Sequence, residues 1–154
     1  MFDLTGMTAL VTGASGGIGS AIAQALAAQG ARLAVSGSNA DKLNAFRDTL
    51  GGDHIALPCN LGDAAAVDAL VPSAVQALGQ LDILVNNAGV TRDNLIMRMK
   101  DEEWMDVIRI NLEANFRLAR AAAKPMMKAR FGRIISITSV VGATGNPREA
   151  NYAP

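Results

Sequence analysis

Between Thr8 and Gly30 the sequence allows little besides a strand, a glycine turn and a helix in immediate succession. Thr8-Ala-Leu-Val-Thr12 is a short β-prone run, and Gly13-Ala-Ser-Gly-Gly-Ile-Gly19 follows it without a break. Ile18, Ile22 and Leu26 then recur every four residues, the spacing of one helix face, and Gly30 marks the stop. Glycines let the backbone turn sharply and come close to a pyrophosphate. The helix that follows presents free N–H groups and the positive end of its dipole. In this context Gly13-x-x-x-Gly17-x-Gly19 points to a dinucleotide site rather than an ordinary βα turn.

The same alternation continues to the end of the chain. Further strands are expected over residues 32–35, 54–57, 82–85 and 133–138. Helices are expected over 41–50, from an Asp63 cap to Gly79 with Pro72 kinking it, and from about Asp101 to Gly132. The apolar residues of the fifth strand fall on both faces, so helices are expected to cover it on both sides. Such an order implies an α/β fold, a Rossmann-type doubly wound parallel sheet of order 3-2-1-4-5. Ligands of such sheets bind beyond the carboxyl ends of the strands at the switch point, here between strands one and four. No linker or repeat interrupts the chain, so residues 1–154 read as a single dinucleotide-binding domain.

Composition narrows the function. Half of the 154 residues are apolar and 18% are charged, which argues against disorder. Fourteen basic residues balance fourteen acidic ones, so no overall field draws the chain to nucleic acid or membrane. The opening MFDLTG lacks the pattern of a signal peptide, and no apolar run approaches the ~20 residues of a membrane span. The single Cys59 rules out an internal disulfide and fits a reducing compartment, so a cytoplasmic protein is expected. His54 has no second ligand type clustered with it, so no metal is expected.

The end of the second strand separates the two nicotinamide cofactors. An acidic residue there would bind the ribose 2′-OH and repel a 2′-phosphate. Ser36-Gly37-Ser38-Asn39 is neutral and hydroxyl-rich, with Lys42 close behind, so NADPH/NADP is favoured over NAD.

Taken in order, Thr12-Gly-Ala-Ser-Gly-Gly-Ile-Gly19, Asn86-Asn-Ala-Gly89, Asn111, Ser139 and Tyr152 resemble the short-chain dehydrogenases/reductases along the whole chain. The thirteen-residue step from Ser139 to Tyr152 matches the family pattern as well. The stretch 138–147 followed by Ala150-Asn-Tyr152 is most similar to the 3-oxoacyl-[acyl-carrier-protein] reductases. The resemblance implies that Gly13, Ser15, Gly17, Ile18 and Gly19 hold the pyrophosphate and ribose, beside the Ser36, Gly37 and Ser38 already read at the 2′-position. It implies that Asn60 and Leu61 meet the adenine and that Asn86, Ala88 and Gly89 line the strand-four side. By the same resemblance Tyr152 donates a proton to the substrate carbonyl, Ser139 hydrogen-bonds that oxygen, and Asn111 anchors a relay water. It also implies a homo-oligomer built on the helix that starts near Asp101, and docking of acyl carrier protein at Arg130.

The family pattern carries a lysine four residues after the tyrosine, and this sequence stops two residues short of that position. The expectation is a C-terminally truncated domain lacking the last strands of the family fold. It would be inactive alone and aggregation-prone along an uncovered fifth strand. Pro154, at odds with a helix continuing past Tyr152, is where a frameshift or gene fragment would show. Two readings stand beside the reductase: a non-catalytic dinucleotide-binding remnant, and a short-chain reductase of another carbonyl. The basic run Lys124, Lys128, Arg130 and Arg133 reads first as a solvated helix end. Met97 and Met99 are expected over the core or the substrate entrance.

Overall fold

The computed structural model describes residues 2–152, so Met1, Ala153 and Pro154, with the helix-breaking role expected of Pro154, lie outside the described residues. Five strands, β1 (Thr8–Thr12), β2 (Arg32–Gly37), β3 (Ile55–Pro58), β4 (Ile83–Asn86) and β5 (Arg133–Ser136), form one sheet in the order β3-β2-β1-β4-β5. Every pairing is parallel, as the expected topology requires. Helices α1 (Gly17–Ala28), α2 (Ala40–Leu50) and α3 (Ala64–Leu78) connect the first four strands. Between β4 and β5 lie a 3-10 turn (Ile96–Arg98), α4 (Asp101–Val107), a π-helical stretch (Ile108–Glu113) and α5 (Ala114–Ala129). A short α6 (Val141–Thr144), not foreseen in the sequence, follows β5.

The alternation of side chains along each strand builds two cores, one per face. Leu10 and Leu84 point to the side where Val67 and Val71 of α3 meet Leu118 and Ala122 of α5. Val11, Val35 and Val85 point the other way, onto Ala23 of α1 and Leu43 of α2. Helices on both faces explain why β1 and β4 are buried at every position. The helix ends also follow local chemistry. The Asp63 carboxylate accepts from the backbone N–H groups of Ala65 and Ala66, and α3 stops at Gly79. Pro72 lies inside α3 and is exposed, on the solvent side of the helix.

One expectation needs correction, for Ile18, and two that carried alternatives are narrowed. β5 lacks the cover that its two-sided apolar pattern called for and matches instead the uncovered fifth strand that was also expected: all four of its residues are exposed, and Ile134 and Ile135 keep 43% and 45% of their surface. Its strand is the sheet edge among the described residues, with no helix packed beyond it. Ile18 does not join the core face of α1, being 65% exposed, while Ile22 and Leu26 do pack inward. Met97, 87% exposed, does not cover the core, which leaves the substrate entrance as its alternative.

At the opposite end from the glycine turn, Asp82 ties β1 to β4. Its carboxylate accepts from the Thr8 N–H at 2.8 Å, the Thr8 hydroxyl at 3.1 Å and the Gln80 side chain at 2.8 Å. His54 does similar work at the start of β3. Its Nδ1 accepts from the Leu33 N–H of β2 at 3.1 Å, extending the ladder one step before backbone pairing begins at Ile55. Burial lowers the His54 pKa from its ordinary value, against the pull of Asp53 and with the push of Arg32. A histidine whose folded pKa is lowered contributes stability that is complete above its unfolded value, about 6.5, and lost as pH falls through the folded value. The chain should therefore melt at a lower temperature at pH ~5.5 than at pH ~7.5. That difference should shrink in His54→Gln; parallel melting profiles in the two proteins would refute the assignment.

Candidate active site

The loops after β1 and β4 leave the sheet in opposite directions, because β1 continues to β2 on one side and β4 to β5 on the other. Between them opens a cleft of about 630 Å³. The glycine turn forms its floor. Gly13 adopts φ +63°, and a Cβ there would stand 2.9 Å from Ala88 Cα. A Cβ on Gly19 would collide with the Gly13 carbonyl oxygen and lie 2.5 Å from Asn87 Nδ2. At Gly17, by contrast, a Cβ would meet nothing within 4 Å.

Two side chains hold this turn against β4. The Thr12 hydroxyl, 1% exposed, accepts from the Asn87 N–H at 3.0 Å and the Ala88 N–H at 3.1 Å, and faces the Val85 carbonyl at 3.3 Å. The Asn87 amide returns the contact by donating to the carbonyls of Thr12 at 3.0 Å and Gly13 at 3.3 Å. From the other side, the Ala14 N–H donates to the Ser36 carbonyl at 3.0 Å. Gly16 at the N-cap of α1 offers no side-chain acceptor, and the first turn carries no acidic residue. The first N–H groups of α1 therefore remain free to face an anion.

Of the residues expected at a cofactor, twelve line this cleft: Gly13, Ser15, Gly17, Ile18, Gly19, Ser36, Gly37, Ser38, Asn60, Leu61, Ala88 and Gly89. Asn39 turns away to cap α2, accepting from the Lys42 N–H at 2.9 Å, while Lys42 itself lines the cleft. Asn60 spends its side-chain oxygen on the Gly62 N–H at 3.0 Å. Cys59 is buried beside it, and burial followed by the charge of Asp63 pushes its thiol pKa up, toward the unreactive form.

A second cleft, about 800 Å³, continues from the first through Ile18, Asn87, Ala88, Gly89 and Val90. It brings together the three residues expected to do chemistry, Asn111, Ser139 and Tyr152, although they come from three separate elements. Asn86 belongs here rather than to the first cleft. It is 1% exposed, and neither atom of its amide has a hydrogen-bond partner among the described residues. Asn111 sits in the π-helical stretch, a device that re-aims side chains within a helix. Both ends of its amide are engaged, accepting from the Val90 N–H and donating to the Val90 carbonyl, each at 2.9 Å. Its side chain thus pins the loop after β4, and Gly89 leaves it room. Ser139 Oγ accepts weakly from the Val141 N–H at 3.3 Å, at the start of α6.

Thr12 and Asn87 stood inside the quoted motifs without a role, and no local signal assigns one, because their partners lie more than seventy residues away. Asn115 was also missed. It donates to the Asn111 carbonyl at 2.7 Å, and its position four residues on from Asn111 was the available signal.

A family model described as "short chain dehydrogenase" matches residues 7–154. Among curated relatives, Nodulation protein G of Rhizobium sp. (strain N33) is 53% identical over 99% of this chain and 62% of its own. The 3-oxoacyl-[acyl-carrier-protein] reductase FabG of Escherichia coli (strain K12) is 51% identical over 98% of this chain and 62% of its own. Among solved structures, a putative short-chain alcohol dehydrogenase from Sinorhizobium meliloti 1021 superposes with a TM-score of 0.93 at 37% identity. The match covers 99% of this chain and 62% of that one. The chain thus spans 62% of the length of each of these three proteins.

Proposed function

The chain belongs to the short-chain dehydrogenase family, and on that premise we propose that it is the cofactor-binding part of an NADPH-dependent reductase. Its substrate on this reading is a 3-oxoacyl thioester carried on acyl carrier protein. One observation carries the proposal: the phosphate-cradle cleft adjoins, across the shared residues Ile18 and 87–90, the cleft that gathers Asn111, Ser139 and Tyr152. The cradle fits a dinucleotide, because a Cβ at Gly17 would stand in its open space and the first N–H groups of α1 lack partners. When bound, the nicotinamide supplies hydride to the carbonyl carbon.

The residues of the chain do the rest. Hydride addition builds negative charge on oxygen, and Tyr152 donates the proton that quenches it. The Ser139 hydroxyl donates a hydrogen bond to the same oxygen. Asn111 holds Val90 in place and with it the wall between the two clefts. Ser38 and Lys42, both exposed beside buried Ser36, meet a 2′-phosphate, with no carboxylate at the end of β2 to repel it.

The experiment is a fluorescence titration of the purified chain with NADPH and NADH. NADPH should bind more tightly. Lys42→Ala should weaken NADPH about fivefold, the worth of about 1 kcal/mol for one exposed charge, and leave NADH unchanged. Equal affinities unaffected by Lys42→Ala would overturn the cofactor assignment. Reduction of a short 3-oxoacyl thioester tests the chemistry: the 154-residue chain alone should show little or none, and a protein that continues through the family's lysine should lose its turnover in Tyr152→Phe.

The carrier-protein assignment is supported by the exposed, basic end of α5. Arg130 takes the left-handed conformation at its C-cap, and Lys124, Lys128 and Arg133 are exposed around Met127 and Phe131. Self-association is supported by Leu112 and Phe116, 62% and 60% exposed one helical turn apart. A second reading, dinucleotide binding without turnover, draws on one observation. The first cleft is lined by Thr12 at the end of β1 and Ser36 in β2, each 1% exposed, whereas the second is bounded by Ser136 of β5, a strand exposed along its length. A chain that binds NADPH and reduces no carbonyl compound would select it. Action in the cytoplasm fits the buried free thiol of Cys59.

A further inference from the structure

Residues 148–152 cross the loop after β4 and the first turn of α4, and one buried side chain joins all three. Asn151 is 2% exposed. Its Nδ2 donates to the main-chain carbonyls of Arg92 at 3.0 Å and Glu103 at 3.1 Å, using both amide hydrogens. Its Oδ1 has no hydrogen-bond partner among the described residues. The junction is reinforced on either side. The Asn94 N–H donates to the Arg148 carbonyl at 2.8 Å, and Asn94 forms an isolated parallel bridge with Glu149. The Glu103 carboxylate accepts from Asn94 Nδ2 at 3.0 Å and from the Lys100 N–H at 2.8 Å.

Tyr152 is the next residue. Its backbone N–H donates to the Glu149 carbonyl at 3.0 Å, and its half-buried side chain lines the second cleft with Ser139. Among the described residues the phenol itself makes no hydrogen bond, so the backbone at Asn151 decides where it sits. An asparagine suits this job because its planar amide aims two hydrogens at two carbonyls from a short, stiff stem. Aspartate would set a charge against both carbonyls, and leucine would fill the space with no donor.

We propose that Asn151 is a positioning residue for Tyr152, clamping the tyrosine-bearing segment to Arg92 and Glu103 so that the phenol enters the second cleft. The inference rests on the reading of Tyr152 as the proton donor, and its test does not. Tyr152 is the only tyrosine in the chain, so nitration by tetranitromethane reports on one phenol.

In Asn151→Leu and Asn151→Asp the nitration rate should rise about thirtyfold, matching the loss of two ordinary hydrogen bonds. NADPH affinity should stay unchanged, because the first cleft does not include the clamp. If Asn151→Leu protects the phenol as well as asparagine does, packing alone positions Tyr152 and the clamp is overturned. Amide hydrogen exchange on the unaltered chain gives a check that no folding defect can spoil. Residues 148–152 should open together with residues 92–103 as one unit, and independent exchange overturns the proposal. Tyr152→Phe addresses the other question: undiminished carbonyl reduction would remove the proton-donor reading and leave the clamp standing.

Discussion

Gly19→Ala is expected to abolish dinucleotide binding and to lower stability by about 1–3 kcal/mol, the usual cost of forcing a methyl group into a packed site. The added carbon would press on the Gly13 carbonyl oxygen and on Asn87 Nδ2, neither of which can retreat freely. Asn87 Nδ2 already donates to the carbonyls of Thr12 and Gly13, and Gly13 is fixed between β1 and Ala88. The turn would have to open, and with it the ring of N–H groups at the start of α1. Gly17→Ala serves as the comparison, since its Cβ meets no protein atom within 4 Å at a residue that lines the cleft. That variant should lose NADPH affinity with its melting temperature unchanged. If Gly19→Ala binds NADPH like the parent chain, the glycine turn is not the phosphate cradle.

Thr12→Val should cost about 2–4 kcal/mol in denaturant unfolding, although valine nearly matches threonine in shape. The hydroxyl is the acceptor for two consecutive N–H groups, those of Asn87 and Ala88, in a site 1% exposed at Thr12. Valine would leave both donors without that partner, and a part-buried donor left unmade costs more than the bond contributes when present. The loop after β4 should loosen, weakening NADPH binding as well as stability. A change below about 0.5 kcal/mol, within the range of ordinary surface substitutions, would mean that water replaces the hydroxyl without loss.

Both results turn on residues whose importance was visible in the sequence to different degrees. Gly19 announced itself, because a glycine cluster between a β-prone run and a helical repeat has few other uses. Thr12 did not, since its role depends on Asn87 and Ala88 being brought beside it by the pairing of β1 with β4. The same division runs through the second cleft. Ser139 and Tyr152 could be matched by spacing, but their meeting with Asn111 in one cavity is a product of the fold. Spacing also could not say that the Asn111 amide is committed to Val90, or that Asn151 anchors the segment carrying Tyr152.

What the sequence determined by itself is the order of elements, the parallel sheet of order 3-2-1-4-5 and the face of that sheet on which ligands bind. Those follow from short-range periodicity and from the rules of strand crossover, both carried by neighbouring residues. The apolar pattern of β5 called for cover on both faces, and the tertiary structure decided how far each strand is shielded. β4 and β5 read alike as apolar runs, yet one is buried throughout and the other exposed throughout. Burial depends on what packs across a strand from elsewhere in the chain. Helices α1 and α2 cover one face of the inner strands and α3 and α5 the other. At β5 the described residues offer no element beyond the edge, and an apolar pattern alone cannot supply one.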